Sequence, residues 1–135
     1  TLGLDNPVAG TRAGIVVLGS TYFWLGLRCR SGGVLAIEAS TGGFARVEEV
    51  HASVVVEPDA HITVRASISD AGVVTASWRV GDAAWRHLEI EFTMTAGKWI
   101  GAEVGLFATS PIGTDGELPT ARFGDVAIVE KANQQ

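Results

Sequence analysis

Two glutamates, Glu89 and Glu91, have the residue type and the spacing of a catalytic carboxylate pair. On a β-strand, side chains two residues apart face the same side, about 6–7 Å from each other. That separation suits the acid and base of a glycosidase. Acidic side chains are mostly solvent-exposed, however, so a solvated strand face explains the pair more simply. The adjacent Glu48 and Glu49 face opposite sides of a strand and cannot act together.

Aromatic and basic residues offer a second kind of chemistry, the binding of a sugar. Sugars stack their apolar C–H faces on aromatic rings, and charged side chains then fix the hydroxyl groups. Tyr22, Trp24 and Arg28 alternate along one segment, so they share one face of a strand. Thr63 and Arg65 alternate in the same way on a later strand that we expect to be a neighbour. The candidate carbohydrate-binding residues are therefore Tyr22, Trp24, Arg28, Thr63 and Arg65.

Metal and cofactor chemistry has little support in the sequence. The three histidines show no metal-ligand spacing, and Cys29, the only cysteine, has no sulfur partner. Asp115 and Glu117 supply too few oxygen ligands for a calcium site. No phosphate-binding loop, dinucleotide fingerprint or nucleophile elbow is present. We predict no metal, no cofactor and no catalytic residue in this chain.

Composition excludes several classes of partner. The chain has 135 residues, of which 47% are hydrophobic and 19% charged, so it fits one domain with a buried core. A net charge of −5 and a pI near 5.1 argue against nucleic acid, which needs clustered Lys and Arg. No apolar run approaches the roughly 18 residues that cross a membrane. We therefore expect neither a nucleic-acid nor a membrane partner.

The hydrophobic pattern predicts the elements that position these residues. Apolar and polar residues alternate with a period of two, and glycine-rich turns separate short segments, which is typical of an all-β sandwich or jelly roll with antiparallel sheets. We predict no long helix. The predicted strands are 13–18, 22–29, 34–39, 44–50, 54–56, 61–68, 73–80, 85–92, 103–108 and 121–130.

Two blocks of sequence carry a resemblance to a known domain. Residues 13–19, then Tyr22 and residues 25–27, are similar to Ala-Gly-Leu-Val-Val-Phe-Gly followed by Tyr-x-x-Leu-Gly-Leu. Residues 97–102 and 104–108 follow the pattern Gly-Arg-Trp-Ile-Gly-Ala-Lys-Val-Gly-Leu-Phe. In this order the blocks resemble the concanavalin-A-like domain at the C-terminal end of family 43 glycoside hydrolases. Those enzymes are β-xylosidases and α-L-arabinofuranosidases.

Weaker matches extend the resemblance over most of the chain. Residues 78–85 are similar to the family's hairpin Tyr-Ser-x-Asp-Gly-x-x-Trp. Residues 121–126 keep Phe123 of the closing Ala-Asp-Phe-Asp-Trp-Phe but lack its paired Asp and second aromatic. The resemblance implies one concanavalin-A-like β-sandwich domain over residues 1–130 that begins inside the usual domain. A polar tail follows at residues 131–135.

The resemblance also implies a function and partners. The chain would be a non-catalytic accessory domain that binds hemicellulose saccharides of the xylan or arabinoxylan type, or that buttresses a catalytic domain. Family 43 catalysis belongs to a separate five-bladed propeller, which would then be a partner. Because a domain that starts inside the family pattern leaves a sheet edge open, an upstream fragment or a homodimer is also expected.

Two rival functions stay open. Related sandwiches that hydrolyse β-glucans carry Glu-x-Asp-x-(x)-Glu on one strand. Glu89 and Glu91 match the first two acids in type, but no third acid follows. One rival is therefore a sandwich glycosidase that uses Glu89 and Glu91. The other is a purely structural or protein-interaction sandwich.

Overall fold

The computed structural model describes residues 1–43, 46–94, 103–111 and 118–129. These residues form β-strands joined by turns, with one 3₁₀ turn at Ser31–Gly33. The strands are β1 Leu2–Asp5, β2 Arg12–Leu18, β3 Thr21–Cys29, β4 Leu35–Gly43, β5 Arg46–Val56, β6 Ile62–Ile68, β7 Val73–Val80, β8 Arg86–Thr93, β9 Glu103–Thr109 and β10 Thr120–Phe123.

The strands form two five-stranded sheets. Sheet A has the order β10-β1-β6-β7-β8, and sheet B has the order β5-β4-β3-β2-β9. Every strand pair is antiparallel. The predicted all-β sandwich of antiparallel sheets is therefore confirmed. Within the described residues the sheet edges are β10, β8, β5 and β9, and their cover by an upstream fragment or a second copy stays a prediction.

The core lies between the sheets and follows from the alternation of residues. In β3, Phe23, Leu25 and Leu27 point inward and are at most 2% exposed. Sheet A meets them with apolar side chains of β6, β7 and β8, and the rings of Phe23 and Phe92 stack at 5.7 Å. A fully buried side chain of this size contributes about 1.5–3 kcal/mol to stability. The alternate residues of β3 are thereby forced onto the outer face of sheet B.

Three predicted strand boundaries were wrong. The strand predicted at 34–39 is longer in the structure, because β4 continues to Gly43, which pairs with Arg46 of β5. The two strands expected at 44–50 and 54–56 are one strand, β5, with an irregularity opposite Ala39 and Ser40. The last strand, β10, ends at Phe123 rather than near residue 130. Asp125 has a φ of 54°, which ends extended backbone.

Strands β2 and β3 approach each other closely at a pair of facing glycines. Gly14 and Gly26 are paired in the register of the two strands. A Cβ atom on Gly14 would overlap the carbonyl oxygen of Leu25, and one on Gly26 would overlap that of Ala13. Because these obstacles are backbone atoms of a central strand pair, any side chain there requires the strands to separate.

Replacing Gly26 with Ala should lower the free energy of unfolding by about 2–4 kcal/mol, because the added methyl overlaps backbone in the middle of sheet B. Gly105→Ala is the matched control, since Gly105 lies in β9 of the same sheet and a methyl group added there would meet open space. It should change stability by less than about 0.5 kcal/mol. Urea unfolding followed by tryptophan fluorescence measures both, and equal midpoints would contradict the prediction.

Candidate functional site

Tyr22, Trp24 and Arg28 lie together on the outer face of sheet B, as the period of two predicts. Each alternates with an inward-facing core residue of β3. The neighbouring strands β2 and β4 bring further side chains to this face, among them Arg12, which pairs with Arg28, and Glu38, which pairs with Gly26. Sheet B therefore presents a face with both acidic and basic groups beside its aromatic rings.

A carboxylate from the edge strand organises one half of this face. Arg12 Nη1 lies 2.6 Å from Glu48 Oε1, and the Tyr22 hydroxyl donates to Glu48 Oε2 at 2.5 Å. Tyr22 crosses β4 at Gly42, where any Cβ would contact the phenol ring. We call these residues the Glu48 cluster: Arg12, Tyr22, Trp24, Glu48 and Phe107.

The aromatic half of the Glu48 cluster is closed to solvent. Trp24 is 1% exposed although it lies on the outer face of the sheet. Phe107 packs edge-on against its ring at 5.5 Å, and the Arg12 guanidinium lies 5.1 Å from the ring centre. The buried Trp24 Nε1 has no acceptor in hydrogen-bond geometry among the described residues, although it points close enough to Glu48 to lower the pKa of that carboxyl. The covered ring has no open face on which a sugar stacks.

The contacts set the protonation states of the cluster. Burial alone would raise the pKa of Glu48, but hydrogen bonds from Tyr22 and Arg12, with the charge of Arg12, outweigh it and hold that pKa below its ordinary value. Burial raises the pKa of Tyr22, and the hydrogen bond to Glu48 and its charge raise it further. Near neutral pH, Glu48 is therefore an ionised acceptor, which does not suit the role of a general acid.

A second ion pair occupies the other half of the face. Arg28 Nη1 lies 3.1 Å from Glu38 Oε1, and the Ser40 hydroxyl donates to the same oxygen at 3.5 Å. The Glu38 side chain is only 4% exposed. A buried carboxylate is tolerated because it is paired and hydrogen-bonded. Arg28 is thus committed within the protein, while its side chain stays 36% exposed.

The five candidate sugar-binding residues do not form one surface. Thr63 and Arg65 lie on β6, which belongs to sheet A, whereas β3 is bordered by β2 and β4 in sheet B. The expectation that β6 neighbours β3 within a sheet was wrong. Ile62 points into the core, so Thr63 and Arg65 lie on the outer face of sheet A, on the far side of the sandwich. The period of two assigns a face of a strand, but it does not assign strands to sheets.

Arg65 belongs to a different group of side chains, which we call the Trp85 cluster: Arg65, Ser77, Arg79 and Trp85. The Arg65 guanidinium carbon lies 4.0 Å from the centre of the Trp85 ring, and that of Arg79 lies 4.6 Å from it. Arg65 Nε donates to Ser77 Oγ at 3.1 Å. Sequence reasoning treated Trp85 as a hairpin aromatic and missed Arg79. The β6–β7 register, in which Arg79 pairs with Thr63, brings the two arginines to one face.

The remaining acidic candidates from the sequence are Glu89, Glu91, Asp115 and Glu117. Glu89 and Glu91 lie in β8, next to a register shift between Thr75 and Ala76 of β7. Their side chains lie outside the described residues, as do Asp115 and Glu117. The described residues contain no group of three potential metal ligands. Nor do they include a helix long and apolar enough to cross a bilayer.

A cleft of about 250 Å³ opens between the sheets beside β1 and β6. Its lining includes the apolar residues Leu27 and Leu35 and the polar residues His61 and Arg122. The cleft is smaller than the roughly 300–1,000 Å³ of most small-molecule sites. The size of this cleft therefore does not indicate a small-molecule site.

Comparison with known proteins gives a match to a family model. A family model described as the β-xylosidase C-terminal concanavalin A-like domain matches residues 2–125. The matched range includes both sheets and both clusters of side chains. No curated protein matches the chain.

The ion pair of Glu48 should make stability depend on pH. Because the folded protein lowers the pKa of Glu48, its contribution is complete above the ordinary glutamate pKa of about 4.3 and is lost as the pH falls through the lower folded value. At pH 7, Glu48→Gln should cost about 1–3 kcal/mol of unfolding free energy. The difference from wild type should shrink below pH 4.

The exposed neighbour on the same strand provides the control. Glu49→Gln should change the unfolding free energy by less than about 0.5 kcal/mol at pH 7. Urea unfolding at pH 7 and pH 3.5 measures all three proteins. A cost for Glu48→Gln that is the same at both pH values would show that the charge of Glu48 contributes nothing.

Proposed function

The chain belongs to the family of C-terminal concanavalin A-like domains of β-xylosidases, and from this premise we propose that it is a non-catalytic accessory domain. In this proposal the chemistry belongs to a separate catalytic propeller of the family 43 type. The outer face of sheet B contacts that propeller and buttresses it. The parent enzyme would then act on xylan-type or arabinose-bearing hemicellulose.

The state of the outer face of sheet B carries this proposal. Two of its arginines are already paired within the protein, Arg12 with Glu48 and Arg28 with Glu38. Its tryptophan is covered although no further layer of the described fold lies above it. Contacts between domains are more polar than a core and are rich in Tyr, Trp and Arg. Side chains that are fixed before contact lose little conformational entropy when a partner docks.

A labelling experiment tests the contact. Val50→Cys places a thiol on the outer face of sheet B beside Glu48, and Thr75→Cys places one on the outer face of sheet A. The native Cys29 is fully buried and should not react in the folded protein. Addition of the catalytic propeller should slow the labelling of the Val50→Cys variant by at least about tenfold and leave the Thr75→Cys variant unchanged.

Equal labelling rates with and without the propeller would refute the contact through sheet B. Protection of the Thr75→Cys variant alone would place the contact on sheet A instead. Retention of secondary structure by circular dichroism is required of both variants.

Weak saccharide binding is the second candidate function, because two of the candidate residues remain accessible on sheet B. Tyr22 and Arg28 are each half-buried beside the closed Trp24 ring. A shallow surface of this kind binds weakly, since one aromatic contact contributes only about 1 kcal/mol beyond its area. In this proposal Tyr22 and Arg28 contact the sugar, and Trp24 supports them from below.

Titration with xylohexaose tests this function. The wild type should bind in the millimolar range, and Tyr22→Ala should weaken binding about fivefold, the equivalent of about 1 kcal/mol. Thr75→Ala is the control on the opposite face, outside both clusters, and should bind like wild type. A loss with Thr75→Ala but not with Tyr22→Ala would transfer the sugar contact to sheet A.

A further inference from the structure

We propose that the Trp85 cluster, on the outer face of sheet A, is a binding site for the carboxylate of an acidic saccharide, such as a uronic acid branch. The site lies on the opposite side of the sandwich from the Glu48 cluster. It does not depend on the sheet B contact proposed above. It rests on the family membership only for the kind of molecule that carries the carboxylate.

Two positive charges share one aromatic ring in this cluster. The guanidinium groups of Arg65 and Arg79 both lie within 4.6 Å of the centre of the Trp85 ring. The electron-rich face of an indole attracts a cation. Two cations beside one ring still repel each other. An anion placed between them would remove that repulsion.

Three other arginines of the described structure have acidic partners, whereas Arg65 and Arg79, like Arg30 and Arg86, have none among the described side chains. Arg65 and Arg79 differ from the rest in that they share the ring of Trp85. Arg12, Arg28 and Arg122 each contact a carboxylate. Neither Arg65 nor Arg79 forms an ion pair with any described side chain. In a protein with a net charge of −5, two neighbouring cations without an acidic partner among the described side chains form a local positive site.

The donors of the two arginines are positioned to receive an acceptor. Arg65 Nε is held by Ser77 Oγ, which fixes the plane of the guanidinium and leaves its two terminal nitrogens for a ligand. Arg79 Nε is buried and has no acceptor among the described residues. A buried donor without a partner destabilises the folded protein, and an acceptor that reaches it removes that penalty. A carboxylate matches the forked donors of arginine better than a hydroxyl group does.

Further features of the site favour a sugar as the carrier of that carboxylate. Strands β6 and β7 lie in the interior of sheet A, so the two arginines stand on a rigid surface. Thr63 pairs with Arg79 in the register and adds a hydroxyl beside the charges. Trp85 remains partly exposed and offers its remaining ring surface to an apolar sugar face. The charge pair supplies the affinity, and the hydroxyl and the ring supply contacts to the sugar.

The test compares a neutral and an acidic ligand that share the same xylotetraose backbone. The wild-type chain is titrated at low salt with xylotetraose and with xylotetraose that carries one glucuronic acid branch. We expect the branched, acidic ligand to bind at least about tenfold more tightly. Arg65→Gln and Arg79→Gln should each remove most of that preference. Arg65→Lys, which keeps the charge but loses the fork, should retain only part of it.

Two controls make the result decisive. Arg122→Gln removes the same charge from a different part of sheet A and should leave the preference unchanged. Free tetraglutamate supplies carboxylates without a sugar and should bind more weakly than the branched ligand. The proposal is overturned if neutral and acidic ligands bind equally, if Arg122→Gln has the same effect as Arg65→Gln, or if tetraglutamate binds as tightly. Unfolding midpoints confirm that each variant is folded.

Discussion

The whole structure depends on a core that is filled from two sides, by the inward-facing side chains of sheet A and of sheet B. Each strand contributes one row of side chains to the space between the sheets, and the alternate row has to face outward. Phe23, Leu25 and Leu27 fill that space. For this reason the polar and charged side chains of β3 collect on the outer face of sheet B. The side chains that can bind a partner therefore lie on two broad outer faces, on opposite sides of the sandwich.

The two faces use arginine in opposite ways. On sheet B, Arg12 and Arg28 satisfy carboxylates that the fold has partly or fully buried. Those ion pairs hold the charged side chains in place and make the face rigid. On sheet A, Arg65 and Arg79 are held by an indole ring and by Ser77, without an acid among the described side chains. The first arrangement suits docking of a preformed surface, and the second suits capture of a charged group.

The sequence predicted which side chains share a face of a strand, but it did not predict which strands are neighbours in a sheet. The shared face of Tyr22, Trp24 and Arg28 follows from a period of two within one strand, which is local information. The role of Glu48 does not follow from local information. It depends on Tyr22 passing over Gly42 to reach a strand two places away in the sheet. The separation of Arg65 from β3 depends on which sheet receives β6, and no local pattern in the chain encodes that choice.

Cys29 makes the fold insensitive to the redox state of its surroundings. Its thiol is fully buried at the end of β3, and burial raises the pKa of the thiol, so the reactive thiolate is scarce. As the only cysteine of the chain, it leaves the sandwich with no internal disulfide to lose and no accessible thiol to oxidise. The free energy of unfolding of the domain should therefore be the same in reducing and oxidising media. A domain of this kind can be attached to an enzyme on either side of a cell envelope without any change to its core.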